Sequence, residues 1–372
     1  MDALTLLIKP ASSSCNLRCR YCFYADVSDS RRVKNLGMMT ADTLEQIVRK
    51  ALDEADAQVT FGFQGGEPTL AGLDFFKTLI ELERKYNRKG LRIGHSLQTN
   101  GTCIDDEWAA FLAANQFLTG LSLDAAAPVH DSLRLDAGGK GTHKRCLETK
   151  RLLEKHGVEF NILSVVTRFL AAHPNKAYNF YKQHKLRYLQ FIPCLDGLEE
   201  APGAHRHSLD ARGYGKFLCR LFDLWFMDYC RGDYVSIRAF DNYIRMLAGQ
   251  PPENCAMHGV CSAYPLIEAD GSVYPCDFYA LDQYRIGHVA ENSFGEMLAS
   301  GAARDFMAPS RRRHPDCAGC ELFFLCRGGC RRDREPVIDG VAGRNRLCEA
   351  YREFFPHALP RMRKIAERVF GG

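Results

Sequence analysis

Three thiols, Cys15, Cys19 and Cys22, stand within eight residues in the spacing C-x3-C-x2-C. Three thiolates can hold three irons of a cubane cluster and leave the fourth iron without a protein ligand. Thiolate donors favour iron–sulfur clusters or zinc, and a structural site ordinarily supplies all four ligands. An open iron can take a small molecule that carries an amine and a carboxylate. Zinc is the plainer alternative, although its usual spacing is paired C-x2-C. A second set of thiols follows far along the chain: Cys255, Cys261, Cys276, Cys317, Cys320, Cys326, Cys330 and Cys348. These make two sets of four, enough to close two further clusters with no open iron, with zinc ribbons as the alternative. Spacing alone groups Cys317, Cys320, Cys326 and Cys330. Cys103, Cys146, Cys194, Cys219 and Cys230 fit no ligand pattern and read as core thiols.

Such sites need a scaffold, and 372 residues suffice for one large domain or two ordinary ones. The formal net charge of +4 is mildly basic and gives no argument for nucleic acid as a partner. The N-terminus shows no signal peptide, and no apolar run approaches the roughly 18 residues of a membrane span. The expectation is a soluble cytoplasmic protein whose sixteen cysteines, kept reduced there, serve metal or redox chemistry.

Periodicity supplies the elements. Leu4–Lys9, Val59–Phe63, Leu91–Leu97, Phe117–Leu123, Phe160–Val166 and Tyr188–Ile192 read as strands. Between and after them, Thr40–Ala55, Leu73–Tyr86, Asp105–Asn115, Arg145–His156 and Asn175–His184 read as helices, the first capped by Thr40. Six strand–helix alternations predict parallel βαβ units in a partial (β/α)6 barrel of the TIM type. Active residues then belong at the carboxyl ends of the strands, where the cysteine motif falls directly after strand one. Gly65-Gly66, ending strand two, allows close backbone approach and offers N–H groups to an anion; a tight turn is the alternative. Ser122 ends strand four, and Arg134 is the nearby basic group suited to a carboxylate. Tyr21 can stack on a purine or pack in the core. His205 and His207 read as solvated loop residues. Leu209–Cys230 carries aromatic residues at core spacing, and Ile237–Leu247 is a further helix. Gly249-Gln250-Pro251-Pro252 is the strongest boundary signal. Asp270-Gly271 between two short apolar runs predicts a hairpin bearing Cys276. A basic helix over Cys348–Phe370 closes the chain. The expected domains are 1–235 and 236–372.

The cysteine motif resembles the cluster loop of radical S-adenosylmethionine (radical SAM) enzymes, and Gly65-Gly66-Glu67-Pro68 resembles their GGE motif. The C-terminal cysteines, with Gly271 five residues before Cys276, resemble the SPASM domain of peptide-modifying members. Leu7–Ser12, Cys22–Tyr24, Phe63–Ala71, Ser96–Thr102 and Tyr274–Tyr279 are similar to the anaerobic sulfatase-maturating enzymes, and these stretches span nearly the whole chain. One departure is Asp124, followed by Ala125-Ala126-Ala127-Pro128 where that family usually has Gly-Pro at once.

The resemblance implies three [4Fe-4S] clusters and S-adenosyl-L-methionine. Cys15, Cys19 and Cys22 would hold the SAM-binding cluster, and Tyr21, Gly66, Ser122, Arg134 and Leu195 match the SAM contacts. Cys255, Cys261, Cys276 and Cys330 would ligate one auxiliary cluster; Cys317, Cys320, Cys326 and Cys348 would ligate the other. Asp277 matches the general base, the catalytic residue. The implied reaction is oxygen-independent conversion of a cysteine or serine to Cα-formylglycine. Its substrate would be an unfolded sulfatase precursor bearing a Cys/Ser-x-Pro-x-Arg type motif. A flavodoxin- or ferredoxin-type protein would donate electrons to a monomeric enzyme without nucleic-acid or membrane partners. Thioether or carbon–carbon crosslinking of another peptide, or epimerisation, is the alternative; the 14 residues before Cys15, too few for a leader-binding domain, favour the first reading. A zinc-stabilised binding module is the non-enzymatic alternative.

Overall fold

Strand and helix alternate along the chain from the first strand: β1 (Ala3–Ile8), β2 (Gln58–Phe63), β3 (Arg92–Thr99), β4 (Phe117–Ser122), β5 (Phe160–Val166) and β6 (Tyr188–Pro193). Short strands follow: β7 (Ser236–Ile237), β8 (Leu266–Ile267), β9 (Ser272–Tyr274) and β10 (Gly287–His288). The computed structural model describes residues Met1–Gly371. It divides into two compact units. The first holds Met1–Leu123, Asp131–Phe160 and Ala263–Phe306; the second holds Asp124–His130, Asn161–Ser262 and the chain from Met307 onward.

In the first unit the strand order is β10-β9-β8-β1-β2-β3-β4. β1 to β4 are parallel, with Leu6 opposite Phe61 and Phe61 opposite His95. Leu4, Leu6, Ile8, Val59, Phe61 and Phe63 are buried, as strands covered by helices require. The Thr40 hydroxyl accepts from the Thr43 N–H, and the helix behind it buries Leu44, Ile47, Val48, Ala51 and Leu52. The Asp270-Gly271 hairpin forms β8 and β9, and β8 runs parallel to β1, with Leu7 opposite Leu266. That pairing has no local sequence signal.

Glu67, just after β2, ties two strand ends together. Its Oε1 accepts from the Thr69 N–H at 3.1 Å, the Thr69 hydroxyl at 2.7 Å and the Thr99 hydroxyl at 2.7 Å. Its Oε2 accepts from the Asn100 N–H at 2.7 Å. Burial pushes the carboxyl above its ordinary value, against the pull of these donors.

In the second unit β5, β6 and β7 are parallel. Helix Ala211–Cys230 packs on the closing helix Cys348–Phe370, and the rings of Phe222, Phe240 and Phe354 meet at 5.3–6.0 Å. The aromatic run is therefore core. Two short helices, Phe23–Asp29 and Ala127–Leu133, carry no helical pattern in the sequence. His205 is exposed beside Glu200, but His207 is buried, contrary to the solvated reading. Among the described residues no helix is long and apolar enough to cross a membrane.

The departure at Asp124 places backbone strain on Ala125. That residue sits at φ 52°, the left-handed region where glycine is relaxed and alanine is strained by roughly 1–2 kcal/mol. Buried Asp124 holds the turn by accepting from the Val165 N–H at 2.8 Å, and the Ala125 N–H donates to the Tyr181 hydroxyl at 2.8 Å. Ala125→Gly loses a buried methyl and adds chain entropy but removes that strain, so it should lie within about 0.5 kcal/mol of the parent. Ala51→Gly, in a buried helix interior, should cost roughly 1.5–2 kcal/mol. Thermal melts of the two variants decide; an equal loss at both positions contradicts the strain argument. Glu67→Gln leaves one oxygen for two backbone N–H groups that now sit on different oxygens. One of them loses its acceptor, and a cost of about 1–3 kcal/mol should appear as a lower melting temperature.

Candidate active site

Cys15–Cys22 form the loop leaving β1, and three segments fix it. On one side the Arg18 N–H donates to the Leu135 carbonyl at 2.7 Å and the Arg20 N–H to the Leu133 carbonyl at 3.0 Å. This pairing carries buried Arg134 to the loop, where its guanidinium lies 5.3 Å from the Tyr21 ring centre. On the other side the Gly66 N–H donates to the Ser12 carbonyl at 3.1 Å and the Glu67 N–H to the Ser14 carbonyl at 2.8 Å. A Cβ on Gly66 would stand 2.0 Å from the Ser14 carbonyl oxygen, so position 66 must be glycine. The expected close approach is present, but it is to the cysteine loop. The Gly66 N–H is therefore spent on that loop and does not present itself to an anion.

The third support is Asn100, which sequence reasoning passed over as a strand-ending residue. Its Nδ2 donates to Asn16 Oδ1 at 2.9 Å and approaches Cys15 Sγ at 3.8 Å, while Asn16 Nδ2 donates to Thr102 Oγ1 at 2.7 Å. Gly66 and Arg134 thus meet the loop that carries Tyr21. Ser122 ends β4, where its hydroxyl accepts from Gln98 Nε2 at 3.1 Å. Leu195 lies half-buried after β6 in the second unit.

Asp277, in the first unit, is buried, and three donors converge on it. Tyr264 donates to Oδ1 at 2.7 Å, Gln64 Nε2 to Oδ2 at 3.0 Å and Tyr24 to Oδ2 at 3.3 Å. Burial, and then the Asp277 charge, push the Tyr24 hydroxyl well above its ordinary value, which keeps it a donor. Cys276 Sγ lies 3.5 Å from Oδ1. None of the three donors was legible as an Asp277 partner. Gln64 carried the one usable signal, its place at the carboxyl end of β2 just before Gly65-Gly66. Beneath lies an ion cluster equally hidden in the sequence: Lys9 and Arg31 both pair with fully buried Glu268, and Lys9 Nζ lies 5.5 Å from the Tyr24 ring centre.

All sixteen cysteines stand as thiols. Cys15 lies within the electrostatic reach of Cys19, Cys22 and Glu67, and burial pushes its thiol up to about 12. In the second unit Cys317 and Cys326 each feel Cys320 and Cys348, and burial pushes Cys326 up to about 11. Cys330, raised by burial, feels Asp333, Cys255 and Cys261. Among the described residues no three donors close on the point of a single ion. The fit to metal rests on the chemistry of the donor sets: grouped thiols alone, the preference of iron–sulfur clusters.

Residues 10–174 match the radical SAM superfamily, and residues 259–321 match an iron–sulfur cluster-binding domain, SPASM. A cysteine-type anaerobic sulfatase-maturating enzyme of Clostridium perfringens is 46% identical over 99% of this chain and 100% of its own length. Its counterpart from Clostridium novyi is 44% identical over 99% of both. The solved structure described as native anSMEcpe with bound AdoMet and Cp18Cys peptide superposes with a TM-score of 0.95 at 45% identity, covering 99% of both chains. Similarity at this level along the full length of both relatives shows the family, and this chain belongs to the anaerobic sulfatase-maturating enzymes, radical SAM proteins with a C-terminal SPASM domain.

Proposed function

We propose that this chain converts a cysteine, or a serine, of an unfolded sulfatase precursor to Cα-formylglycine without oxygen. The observation that carries the reading is Asp277, a buried carboxylate oriented by three donors beside the candidate cluster thiol Cys276. Family membership supports cysteine as the preferred residue, within a Cys-x-Pro-x-Arg type motif. The cofactors, [4Fe-4S] clusters and S-adenosylmethionine, supply when bound a one-electron cleavage whose radical product takes a hydrogen atom from the substrate's β-carbon.

The chain's own residues do the rest. Cys15, Cys19 and Cys22 would hold the cluster with the open iron, and three ligands on one short loop suit that vacancy. Tyr21, Gly66, Ser122, Arg134 and Leu195 would contact S-adenosylmethionine. The Gly66 N–H, already given to the Ser12 carbonyl, gives no support to an anion as the group met there. Cys255, Cys261, Cys276 and Cys330 would ligate one auxiliary cluster, and Cys317, Cys320, Cys326 and Cys348 the other. Asp277 would accept the proton of the substrate thiol or hydroxyl as the side chain is oxidised. Tyr24, Gln64 and Tyr264 set the direction of that carboxylate before a substrate arrives, so little reorientation is left for the reaction step. The radical SAM domain would occupy 1–235 and the SPASM domain 236–372. A flavodoxin- or ferredoxin-type donor, a monomeric state and a cytoplasmic location complete the proposal; the wealth of thiols supports a reducing compartment.

The direct test is anaerobic incubation of reconstituted enzyme with a Cys-x-Pro-x-Arg peptide, S-adenosylmethionine and a reductant, read by mass spectrometry. The mass change of CH2SH becoming CHO supports the reading, and cofactor cleavage without it refutes it. Asp277→Asn should keep its iron and cleave S-adenosylmethionine yet lose product formation by about 100-fold or more. Ordinary product yield from that variant removes the base assignment.

A further inference from the structure

The second unit contains a cavity of about 520 Å³ whose rim is crowded with positive charge. Arg311, Arg312, Arg313, Arg327 and Arg334 line it together with the thiol of Cys317. Between Met307 and Arg334 the chain carries seven arginines against three carboxylates, a formal +4 that equals the net charge of the entire protein. Basicity here is therefore local. Of those carboxylates, Asp316 is engaged by Arg344 at 3.6 Å and Asp333 by Arg346 at 2.8 Å. Arg311, Arg312 and Arg313 are exposed, and the Arg313 guanidinium stacks 4.2 Å from the Phe323 ring centre. Arg334 is buried and fastens the wall by donating to the Gly259 carbonyl at 3.2 Å. Two large apolar side chains stand open beside the arginines: Phe324 is 45% exposed and Val260 49% exposed.

A few apolar groups ringed by like charges are the surface of a transient, electrostatically steered complex. One candidate cluster thiol, Cys317, belongs to the cavity wall itself. Cys317 and Cys320 are only half-buried, with exposed residues on either side, so a cluster held there stands close to solvent. We propose that this arginine-rimmed cavity is the docking surface for an acidic one-electron carrier protein, which exchanges electrons with the cluster site of Cys317, Cys320, Cys326 and Cys348. Each exchange moves one electron, the carrier being oxidised as the enzyme is reduced or the reverse. The inference rests on the maturase reading for the cluster alone; the arginines, the cavity and the exposed apolar groups stand independently.

The experiment uses the reconstituted holoenzyme and a bacterial flavodoxin as the acidic probe. Affinity is measured by anaerobic calorimetric titration at low and at high salt. Parent enzyme should lose at least about 10-fold in affinity across the salt change. Arg311→Glu/Arg312→Glu should bind about 10- to 100-fold more weakly at low salt and show a flattened salt dependence, whereas Arg311→Lys/Arg312→Lys should stay near the parent. With dithionite as a small reductant the Glu variant should form product at the parent rate and KM, which also shows that it folds and holds its clusters. Salt-indifferent flavodoxin binding by the parent overturns the proposal, with no variant needed. Parent-like flavodoxin binding in the Glu variant overturns it as well, and a raised peptide KM in that case would assign the patch to the substrate protein. Absence of product from the parent with dithionite would instead fail the maturase reading, leaving the flavodoxin titration to be judged by itself.

Discussion

A carboxylate with no exposed surface, Glu268, fixes the geometry around Asp277. Both Lys9, just after β1, and Arg31, beyond the cysteine loop, pair with its Oε1, while among the described residues Oε2 and Arg31 Nε have no hydrogen-bond partner. Burial works against every charge in this triad. It pulls the Lys9 ammonium down, and at Glu268 the fields of Lys9 and then Arg31 overcome it and hold the carboxyl below its ordinary value. Removing Glu268 would strand two buried cations, a loss typically of about 3–5 kcal/mol. The triad therefore locks three segments distant in sequence: the first strand, the segment after the cysteine loop and the β8–β9 hairpin. Two cations against one anion leave a positive charge uncompensated. Lys9 reaches toward the Tyr24 ring and also feels the charge of Asp277. The carboxylate assigned as base thus answers an excess charge already built into the core.

The cysteine loop is held by the same economy of fixed contacts. Gly66 and Glu67 donate to Ser12 and Ser14 from one side, the Leu133–Leu135 backbone accepts from the other, and Asn100 closes the third. Glu67 links these supports, since its carboxylate holds Asn100 in place while its N–H holds Ser14. Its role here is to position a loop, and the side chain reaches no further than Thr69, Thr99 and Asn100. Thiols held this way must still lose their protons to bind iron. Burial raises the Cys15 thiol, so the surroundings of that residue do not by themselves favour its thiolate form.

The alternation of apolar runs and helical stretches was enough to read β1 to β6, because strands covered by helices are written as nearly continuous apolar segments. The hairpin was readable for another local reason, the turn chemistry of Asp270-Gly271. What stayed hidden was everything decided by long-range pairing. The seat of β8 on β1, the rung that brings Arg134 to Tyr21, and the convergence of Tyr24, Gln64 and Tyr264 on Asp277 all join residues far apart in the chain. Spacing gave no sign that Cys348, far along the chain, lies within the electrostatic reach of Cys317 and Cys326. Sequence reading misled at His207, since a loop histidine between polar neighbours gives no sign of burial.

The net charge was read as mild, and that average conceals two arrangements that obey different physics. In the first unit the excess positive charge of Lys9 and Arg31 over Glu268 is buried near Tyr24, where the effective dielectric is low and mobile ions do not reach. In the second unit the arginines of 311–313 stand in water, where fields decay over about 8–10 Å at physiological ionic strength. The buried charge can orient a carboxylate with little regard to salt, and the exposed charges can steer a partner only while salt permits. Residue type is nearly the same in both. Burial decides which of them can position the carboxylate proposed as base and which can steer the proposed carrier.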